Sequence, residues 1–369
     1  MSTWPEVTLS DICEFKYGKS LPAGRRVEGE FAVYGSNGIV GSHIDSITDG
    51  PTIVVGRKGS FGEVNFSDSK CWPIDTTYYI DSSATDADLR WLFHRLSSLG
   101  LTRLNRAAAI PGLNREDAYR KKLLLPPIEE QRRIAAILDH ADALRAKRRE
   151  ALARLDELTQ SIFIDMFGDP ATNPKNLELV TIGELLDSAQ YGTSEKSGAE
   201  GEFAVLRMNN ITYQGQIDLT DLKYTDLPDD KIERFTVRVG DVLFNRTNSP
   251  ELVGKTAVYR GQHPMAYAGY LVRLRVASGN SPEYISTFLN SRYGKAVLRG
   301  MCKSIVGMAN INAREVQSIR IPRASASAQK QFEQRVMLVE SSKSNHRAAL
   351  TQLDSLFASL QSRAFRGEL

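Results

Sequence analysis

The chain has 369 residues, of which 41% are apolar and 25% charged, with 27 glycines, 14 prolines and a formal net charge of +3. This composition excludes collagen-like, disulfide-stapled, strongly disordered and membrane-spanning proteins. The length favours two or three domains, and the nearly balanced charge argues neither for nor against a nucleic-acid partner.

Cysteine usage and the N-terminus indicate the cellular compartment. Cys13, Cys71 and Cys302 lie far apart, without Cys-x-x-Cys or Cys/His spacing, so we expect neither a disulfide framework nor a zinc site. The first residues have neither the basic start nor the apolar run of a signal peptide. These features predict a cytoplasmic protein.

The chain contains an internal repeat, which changes how every other motif is interpreted. The string Gly-Glu-Phe-Ala-Val occurs at residues 29–33 and again at 201–205. Further matches in the same order are Tyr17-Gly18 with Tyr191-Gly192, Asn37 with Asn209, and Gly62 with Gly254. We therefore expect two similar globular units.

Each copy closes with a short apolar strand that ends in proline, at residues 123–126 and 319–322. A long helix is predicted after both strands. The first runs roughly from Ile128 to Phe167 and is stopped by the Gly-Asp-Pro that follows. The second runs roughly from Ser327 to Phe365.

Both helices carry apolar residues in alternating steps of three and four, which is a heptad seam. The predicted seam residues are Ile134, Ile137, Leu144, Leu155, Leu158, Ile162, Phe332, Val336, Val339, Leu353, Leu356 and Leu360. The seam of residues 155–162 maps onto 353–360 at one constant offset, so no stutter separates the copies. An antiparallel coiled coil between the helices would bury both seams, whereas a bundle core or a homodimerisation zipper remains an alternative.

No motif for catalysis is visible. Two Gly-Lys-Ser/Thr tripeptides, at 18–20 and 254–256, lack the earlier glycine that a phosphate-binding loop requires. Dinucleotide-binding, metalloprotease, hydrolase and amino-methyltransferase signatures are absent as well, and the histidines are scattered. The sequence therefore predicts no catalytic residue and no metal site.

The globular units do contain polar, glycine-rich loops with basic and amide side chains. Arginine pairs with guanine and asparagine with adenine, while lysine, serine and backbone amides hold phosphates. The candidate DNA-binding residues are Asn37, Arg57, Lys58, Arg106, Lys196, Asn209, Arg246, Asn248 and Lys303. Such residues also form ordinary turns, and a solvated helix end explains Arg106 and Lys303 equally well.

The sequence resembles a known family over nearly its whole length. Residues 125–139, Leu-Pro-Pro-Ile-Glu-Glu-Gln-Arg-Arg-Ile-Ala-Ala-Ile-Leu-Asp, are similar to the entry into the first spacer helix of type I restriction-modification DNA-specificity (S) subunits. The Phe-Gly-Asp-Pro at 167–170 and the C-terminal residues 364–369 are typical of the same family. The second helix keeps the proline and the glutamine of this entry, Pro322 and Gln329, but lacks its acidic and basic residues.

The resemblance implies an α+β fold with a pseudo-twofold internal repeat. Two target-recognition domains, 1–127 and 169–323, would be separated by spacer helices 128–168 and 324–369 that pack as an antiparallel coiled coil. Each domain would read one half of a bipartite, asymmetric site in double-stranded DNA, and the helices would set the unread spacer.

The resemblance further implies a non-catalytic subunit for host defence by DNA methylation and restriction, in the bacterial or archaeal cytoplasm. It would bind two methyltransferase subunits and two restriction/translocase subunits, which would hold S-adenosylmethionine, ATP and magnesium. Arg132, Arg133, Arg145 and Arg148 on the first helix would then meet the methyltransferase subunits or the other helix.

Two other function classes remain open. A coiled-coil scaffold with two protein-binding domains would share the repeat and the helices, but it would have no sequence-dependent affinity for DNA. A fused methylating or cleaving enzyme would require a cofactor motif that the chain does not contain.

Overall fold

A computed structural model describes residues 4–104, 112–249, 252–302 and 309–369. The chain divides into two compact units, residues 1–149 with 348–369, and residues 150–347. The division falls inside two long helices, so each unit contains a globular part and a section of both helices. No helix among the described residues is long and apolar enough to cross a membrane.

The first unit is built, in its described residues, from short strands, three helices, the last of which continues into the second unit, and the C-terminal part of a fourth helix. Its strands are β1 (Glu6–Thr8), β2 (Lys16–Tyr17), β3 (Phe31–Gly35), β4 (Gly38–His43), β5 (Thr52–Gly56), β6 (Val64–Ser67), β7 (Cys71–Pro73), β8 (Thr77–Ile80) and β9 (Lys122–Leu124), and its helices are α1 (Leu89–Ser98), α2 (Arg115–Tyr119) and α3 (Ile128–Phe167), as far as the structure describes the unit. One sheet has the order β2-β8-β5-β6 and a second the order β4-β3-β7, while β1 pairs with β9.

The second unit uses a similar set of elements. Within its described residues the strands are β10 (Leu179–Thr181), β11 (Leu186–Tyr191), β12 (Phe203–Leu206), β13 (Lys223–Thr225), β14 (Thr236–Val237), β15 (Val242–Asn245), β16 (Thr247–Asn248), β17 (Thr256–Val258), β18 (Met265–Tyr267), β19 (Leu271–Val276), β20 (Ala309–Asn310) and β21 (Arg320–Pro322), and the helices are α4 (Ile232–Phe235), α5 (Pro282–Asn290), α6 (Arg292–Met301), α7 (Ala313–Gln317) and α8 (Ala326–Ala364). The C-terminal part of α8 belongs to the first unit.

The strand order of the first unit recurs in the second. The sheet β11-β19-β15-β17 corresponds to β2-β8-β5-β6, and the sheet β13-β12-β18 corresponds to β4-β3-β7 with β14 added at its edge. In both units the central strand of the smaller sheet has one parallel neighbour, β7 for β3 and β18 for β12. The shared strand order confirms the internal repeat predicted from the sequence.

Each unit has its own apolar core, and residues of both long helices contribute to it. In the first unit Trp91 and Phe15 are fully buried together with Ile134 of α3. In the second unit Tyr284 of α5 packs against Phe163 of α3, with ring centroids 5.2 Å apart. The helices are therefore fixed to their globular parts by core packing.

The limits predicted for the long helices are confirmed. α3 covers the predicted range, and α8 begins and ends one residue earlier than predicted. The closing strands β9 and β21 also form where apolar residues precede proline. Glycine and proline punctuation was sufficient for these boundaries because both residues act on the local backbone.

Within each unit the two helices run antiparallel. In the first unit, Arg133 Nη2 donates to Leu369 O at 3.0 Å, and Arg145 Nε lies 2.6 Å from Asp354 Oδ1. In the second unit, buried Lys343 lies 3.0 Å from Asp156, and the rings of Phe163 and Phe332 pack edge to face. The predicted antiparallel pairing of the two helices is present in both units.

The predicted seam residues are buried to different degrees. Ile134, Phe332, Val336 and Val339 are buried, Ile137, Leu155, Ile162, Leu353 and Leu360 are half-buried, and Leu144, Leu158 and Leu356 are exposed. The heptad pattern omits two buried aromatic residues, Phe163 and Phe167, which pack against Phe332 at 5.6 and 5.5 Å. The apolar face of the helices is thus shared between the partner helix and the globular core.

A buried glutamine joins each globular part to its long helix. Gln131 of α3 accepts a hydrogen bond from the Asp88 backbone N–H at 2.8 Å and donates to Pro126 O at 2.9 Å. Gln329 of α8 accepts from the Ser281 N–H and donates to Ala324 O, both at 2.9 Å. Asp88 and Ser281 are the N-cap residues of α1 and α5.

Replacing Gln131 with leucine leaves both backbone groups buried without a partner, which costs about 1–3 kcal/mol. We expect Gln131→Leu to lower the free energy of unfolding of the first unit by that amount, measured by urea denaturation with tryptophan fluorescence. Buried Trp91 of α1 is a suitable probe because Asp88 Oδ1 caps its backbone N–H. Glu129→Gln, at an exposed position of the same helical turn, should change stability little. Equal stability of Gln131→Leu and wild type would contradict this role.

Candidate nucleic-acid interface

The candidate site in the first unit lies where β5 ends and its chain meets the β3–β4 turn. A Cβ at Gly56 would lie only 2.8 Å from Ser36 O, so the absence of a side chain permits this approach. The Thr76 carbonyl then accepts from both the Ser36 hydroxyl and the Arg57 N–H, at 2.7 and 2.9 Å. Exposed Asn37 follows Ser36, so the structure brings two predicted residues, Asn37 and Arg57, to one surface.

Arg57 is held between an aromatic ring and a backbone carbonyl. Its guanidinium carbon lies 5.3 Å from the ring centroid of Tyr17, and its Nη2 donates to Asp75 O at 2.6 Å. Its buried Nε finds no acceptor among the described residues. Arg115, the first residue of α2, lies 5.4 Å from the same Tyr17 ring. Two cations thus flank one half-exposed tyrosine, an arrangement that cation–π attraction stabilises.

The second unit has the same pair in the corresponding place. The Arg246 guanidinium carbon lies 5.0 Å from the ring of Tyr191, and its Nη1 donates to Gly269 O at 3.3 Å. Its Nε also lacks an acceptor among the residues that are described. Where the first unit has Arg115, the second has Ala313, whose N–H donates to the Tyr191 hydroxyl at 3.0 Å.

Backbone hydrogen bonds show that the two arginines are equivalent positions. Leu113 N donates to Arg57 O and Ile311 N to Arg246 O, each at 2.9 Å. The predicted equivalence of Gly62 and Gly254 is confirmed as well: both have φ of +76°, and each N–H donates at 2.8 Å to the last residue of the preceding strand, β5 or β15. The repeat therefore extends to the loops.

The remaining predicted residues lie at several places. Lys58 is exposed and bridges to Gly112, exposed Asn209 lies in a 3₁₀ turn after β12, and Asn248 lies in β16 opposite Ala309 of β20. Lys196 lies at another edge, beside Thr225 of β13. Arg106 and Lys303 lie outside the described residues.

The sequence-based selection missed Tyr17, Tyr191 and Arg115. The Tyr-Gly dipeptide was recognised as part of the repeat, but nothing in the sequence links Tyr17 to Arg57 or Tyr191 to Arg246. The glycine of each dipeptide allows a close approach to a neighbouring backbone carbonyl. A Cβ would lie 2.1 Å from Ile74 O at Gly18 and 2.2 Å from Tyr267 O at Gly192. These close approaches fix each tyrosine at the end of its strand.

Among the predicted helix arginines, Arg145 makes contact between the helices through Asp354. Arg132 and Arg133 form exposed ion pairs with Glu129 and Glu130 one turn earlier in α3. Exposed pairs of this kind contribute little to stability.

Two buried lysines support the loops of the second unit. Lys255 Nζ donates to Met208 O at 3.0 Å, and Lys295 Nζ of α6 donates to Gly254 O at 2.6 Å. Both side chains are only 9% exposed, and no described carboxylate forms an ion pair with either. Burial lowers the pKa of Lys255, and burial together with repulsion from Lys255 and Arg299 lowers the pKa of Lys295 to about 7.

Comparison with known proteins identifies relatives. Residues 1–154 match the family model of the type I restriction modification DNA specificity domain. The type I restriction enzyme EcoKI specificity subunit of Escherichia coli K12 is 25% identical over 265 residues, which cover 66% of this chain and 57% of that protein. The putative MjaX specificity subunit of Methanocaldococcus jannaschii is 26% identical over 163 residues, covering 43% and 38%. The chain therefore matches 57% of the length of the first relative and 38% of the second.

Two solved structures share the fold. The type I restriction-modification S subunit from M. genitalium superposes with a TM-score of 0.62 at 17% identity, covering 98% of this chain and 96% of that one. A chain from work on complex assembly and conformational transition of the type I R-M system superposes with a TM-score of 0.54 at 19% identity, covering 99% and 98%.

The lowered pKa of Lys295 predicts a stability that rises with pH. The folded state loses the Lys295 proton near pH 7, whereas the unfolded chain keeps it to the ordinary pKa of 10.5. Because the unfolded state binds more protons between these values, the free energy of unfolding should rise by about 2 kcal/mol from pH 7 to pH 9. Urea denaturation followed by circular dichroism measures this rise.

Lys295→Met should remove most of this rise. Lys330→Met, at an exposed position of α8, is the matched control and should retain it. The assignment to Lys295 would be wrong if both variants showed the wild-type pH dependence.

Proposed function

We propose that this chain, whose residues 1–154 match the type I restriction modification DNA specificity domain, is the DNA-specificity subunit of a type I restriction-modification complex. Residues 1–127 and 169–323 are its target-recognition domains, and each reads one half of a bipartite, asymmetric site in double-stranded DNA. The spacer helices, residues 128–168 and 324–369, set the length of the unread spacer.

The observation that carries this proposal is the matched arginine–tyrosine pair. Arg57 with Tyr17 and Arg246 with Tyr191 occupy equivalent positions in two units of the same strand order. A protein that reads two separate half-sites requires an equivalent surface on each unit. A guanidinium with free N–H groups suits guanine edges and phosphates alike.

Differences around the shared pair supply the asymmetry of the site. The first unit adds Arg115 beside Tyr17, whereas the second has Ala313 there and extends its loop through Asn248. Because these side chains differ while the strands correspond, the two units would present different donors and acceptors to the bases. Different half-sites follow from this difference.

The modest net charge fits a subunit that works within a complex. Neutralisation of phosphates by lysine and arginine supplies a large share of the affinity of proteins for DNA. With a net charge of +3 over 369 residues, the chain has few positive charges that its own carboxylates do not balance. We infer that methyltransferase subunits meet much of the phosphate charge, while this chain supplies the base contacts.

The long helices provide the docking surface for those subunits. In the first unit, Leu144 and Leu356 are 39% and 49% exposed, and they line an open apolar groove of about 560 Å³ between the two helices. An exposed apolar groove of this kind suits an apolar helix of a partner. Two methyltransferase subunits and two restriction/translocase subunits would complete the assembly, and they would hold S-adenosylmethionine, ATP and magnesium. This chain itself would carry out no catalysis.

The proposal is tested by mapping methylated adenines. The full chain is produced with the methyltransferase subunit of its own restriction system in a methylation-free host, and the genome is read by single-molecule sequencing. We expect a split motif with an unread gap. A stable complex with the methyltransferase but no sequence-specific modification would instead support a scaffold that binds proteins.

Arg57→Met and Arg246→Met test the assignment of each half, and each variant is the control for the other. Arg57→Met should relax the bases of one half-site only, by about 1–3 kcal/mol of discrimination, and Arg246→Met should relax the other half only. Methylation mapping measures both. Parallel changes in both halves would contradict independent recognition by the two units.

Shortening both helices should shorten the spacer. Deleting residues 147–153 of α3 and 346–352 of α8 removes one heptad from each helix and keeps the Arg145–Asp354 and Asp156–Lys343 ion pairs. The loss is about 10 Å of helix, or about three base pairs of the unread gap. The deletion in α3 alone, which breaks the register, is the control and should abolish modification. An unchanged gap in the double deletion would mean that the helices do not set it.

A further inference from the structure

The loop that carries Arg246 is longer than its counterpart in the first unit and is anchored differently. Ten residues, 246–255, separate β15 from β17 in the sequence, whereas seven, 57–63, separate β5 from β6. In the first unit the backbone supports the loop, because a Cβ on Gly62 would lie 2.5 Å from the carbonyl carbon of Leu101. In the second unit Gly254 faces a side chain instead, that of Leu298 on α6, with a Cβ placed 2.6 Å from its Cδ1.

Two ammonium groups take the place of this backbone support. Lys295 holds the Gly254 carbonyl at 2.6 Å, at the end of the loop that carries Arg246 and Asn248. Lys255 holds the Met208 carbonyl at 3.0 Å, in the 3₁₀ turn that presents Asn209. The first unit has exposed Glu63 where the second has Lys255. At this position, the anchoring by lysine is therefore found in the second unit and not in the first.

A contribution to the stability of the folded unit does not explain these two lysines. A buried ammonium that lacks a carboxylate destabilises a folded protein, because burial removes its hydration shell. One hydrogen bond to a backbone carbonyl compensates only part of the free energy lost. Each ammonium has three donors, of which the described contacts use one. Both lysines act on loops that hold candidate DNA-contacting residues, so an anion brought to this surface would supply the missing negative charge.

We propose that Lys255 and Lys295 are positioning residues for DNA recognition by the second unit. They hold the Asn209 turn and the Arg246–Asn248 loop in the conformation that meets DNA, and DNA phosphates provide the negative charge that no described carboxylate provides. This inference rests on the proposed function, and it makes recognition of one half-site, but not the other, dependent on buried lysine.

Methylation mapping with lysine variants tests the inference. The full chain, co-produced with its methyltransferase subunit, is compared as wild type, Lys255→Met and Lys295→Met, with exposed Lys330→Met as the control. Methionine keeps an unbranched apolar chain but removes the donor and the charge. We expect both buried variants to keep the half-site of the first unit and to lose at least tenfold in discrimination at the other half. The control should give the wild-type motif.

The outcomes separate this inference from the proposed function. If wild type yields no split motif, the proposed function fails and this inference fails with it. If wild type yields the motif and both lysine variants keep it unchanged, only this inference is overturned. Loss of both halves together in folded variants would show a general structural role and would also overturn it.

A second measurement needs no variant. Burial, together with repulsion from Lys255 and Arg299, the charged groups that act on it among the described residues, lowers the pKa of the Lys295 ammonium to about 7. Phosphate binding then requires uptake of a proton above pH 7, so affinity falls by up to tenfold per pH unit. Binding of the wild-type complex to duplexes with one scrambled half-site is measured at pH 6.5, 7.5 and 8.5.

We expect discrimination at the second unit's half-site to fall several-fold over this range, while discrimination at the first half-site stays constant. In Lys295→Met the pH dependence of the second half-site should disappear. A purely structural lysine would leave the profile of the folded variant parallel to that of wild type. Equal pH dependence of both half-sites in wild type would overturn the proposal.

Discussion

A buried glutamine on each long helix is the constraint on which the rest of the structure depends. Gln131 and Gln329 are 4% and 1% exposed, and each joins two backbone groups, one at the entry to its own helix and one at the N-cap of a helix in the globular part. Because the amide group is planar and both of its ends are engaged, the globular core cannot rotate about the long helix without leaving buried groups unpaired. Any function that depends on the placement of a loop relative to the helix depends on this contact.

The repeat separates support from recognition. The corresponding sheets, the closing strands and the glutamine contacts are common to both units, and they involve backbone groups or buried side chains. The loops share only the arginine–tyrosine pair and its glycine turn, and they differ in Arg115 against Ala313 and in Glu63 against Lys255. Side chains at loop positions can differ at little cost to the core. A chain built in this way can change the side chains on its loops while its scaffold stays the same.

The sequence predicted those features that depend on local backbone chemistry or on a sustained period. The ends of α3 followed from glycine and proline, the closing strands from apolar runs before proline, and the equivalence of Gly62 and Gly254 from the repeat. The seam of the two helices was harder to predict, because a heptad pattern does not show which apolar residues face a partner helix and which face a globular core. Phe163 and Phe167 illustrate this limit, since both pack with Phe332 and Tyr284 in a core that only the folded unit creates.

The candidate site was the least predictable part, because its contacts join residues that are distant in sequence. Tyr17 and Arg57 meet only after β2, β8 and β5 have paired, and the Tyr-Gly dipeptide alone looks like an ordinary repeat element. The Gly-Lys-Thr tripeptide at 254–256 is a second case in which the sequence did not indicate the contacts of a residue. As a sequence it invites comparison with a phosphate loop and then fails that comparison. In the folded unit its lysine points inward to Met208 O, where burial lowers its pKa. The chemistry of that lysine is decided by the carbonyl that it reaches and by its burial, and neither is encoded within the motif.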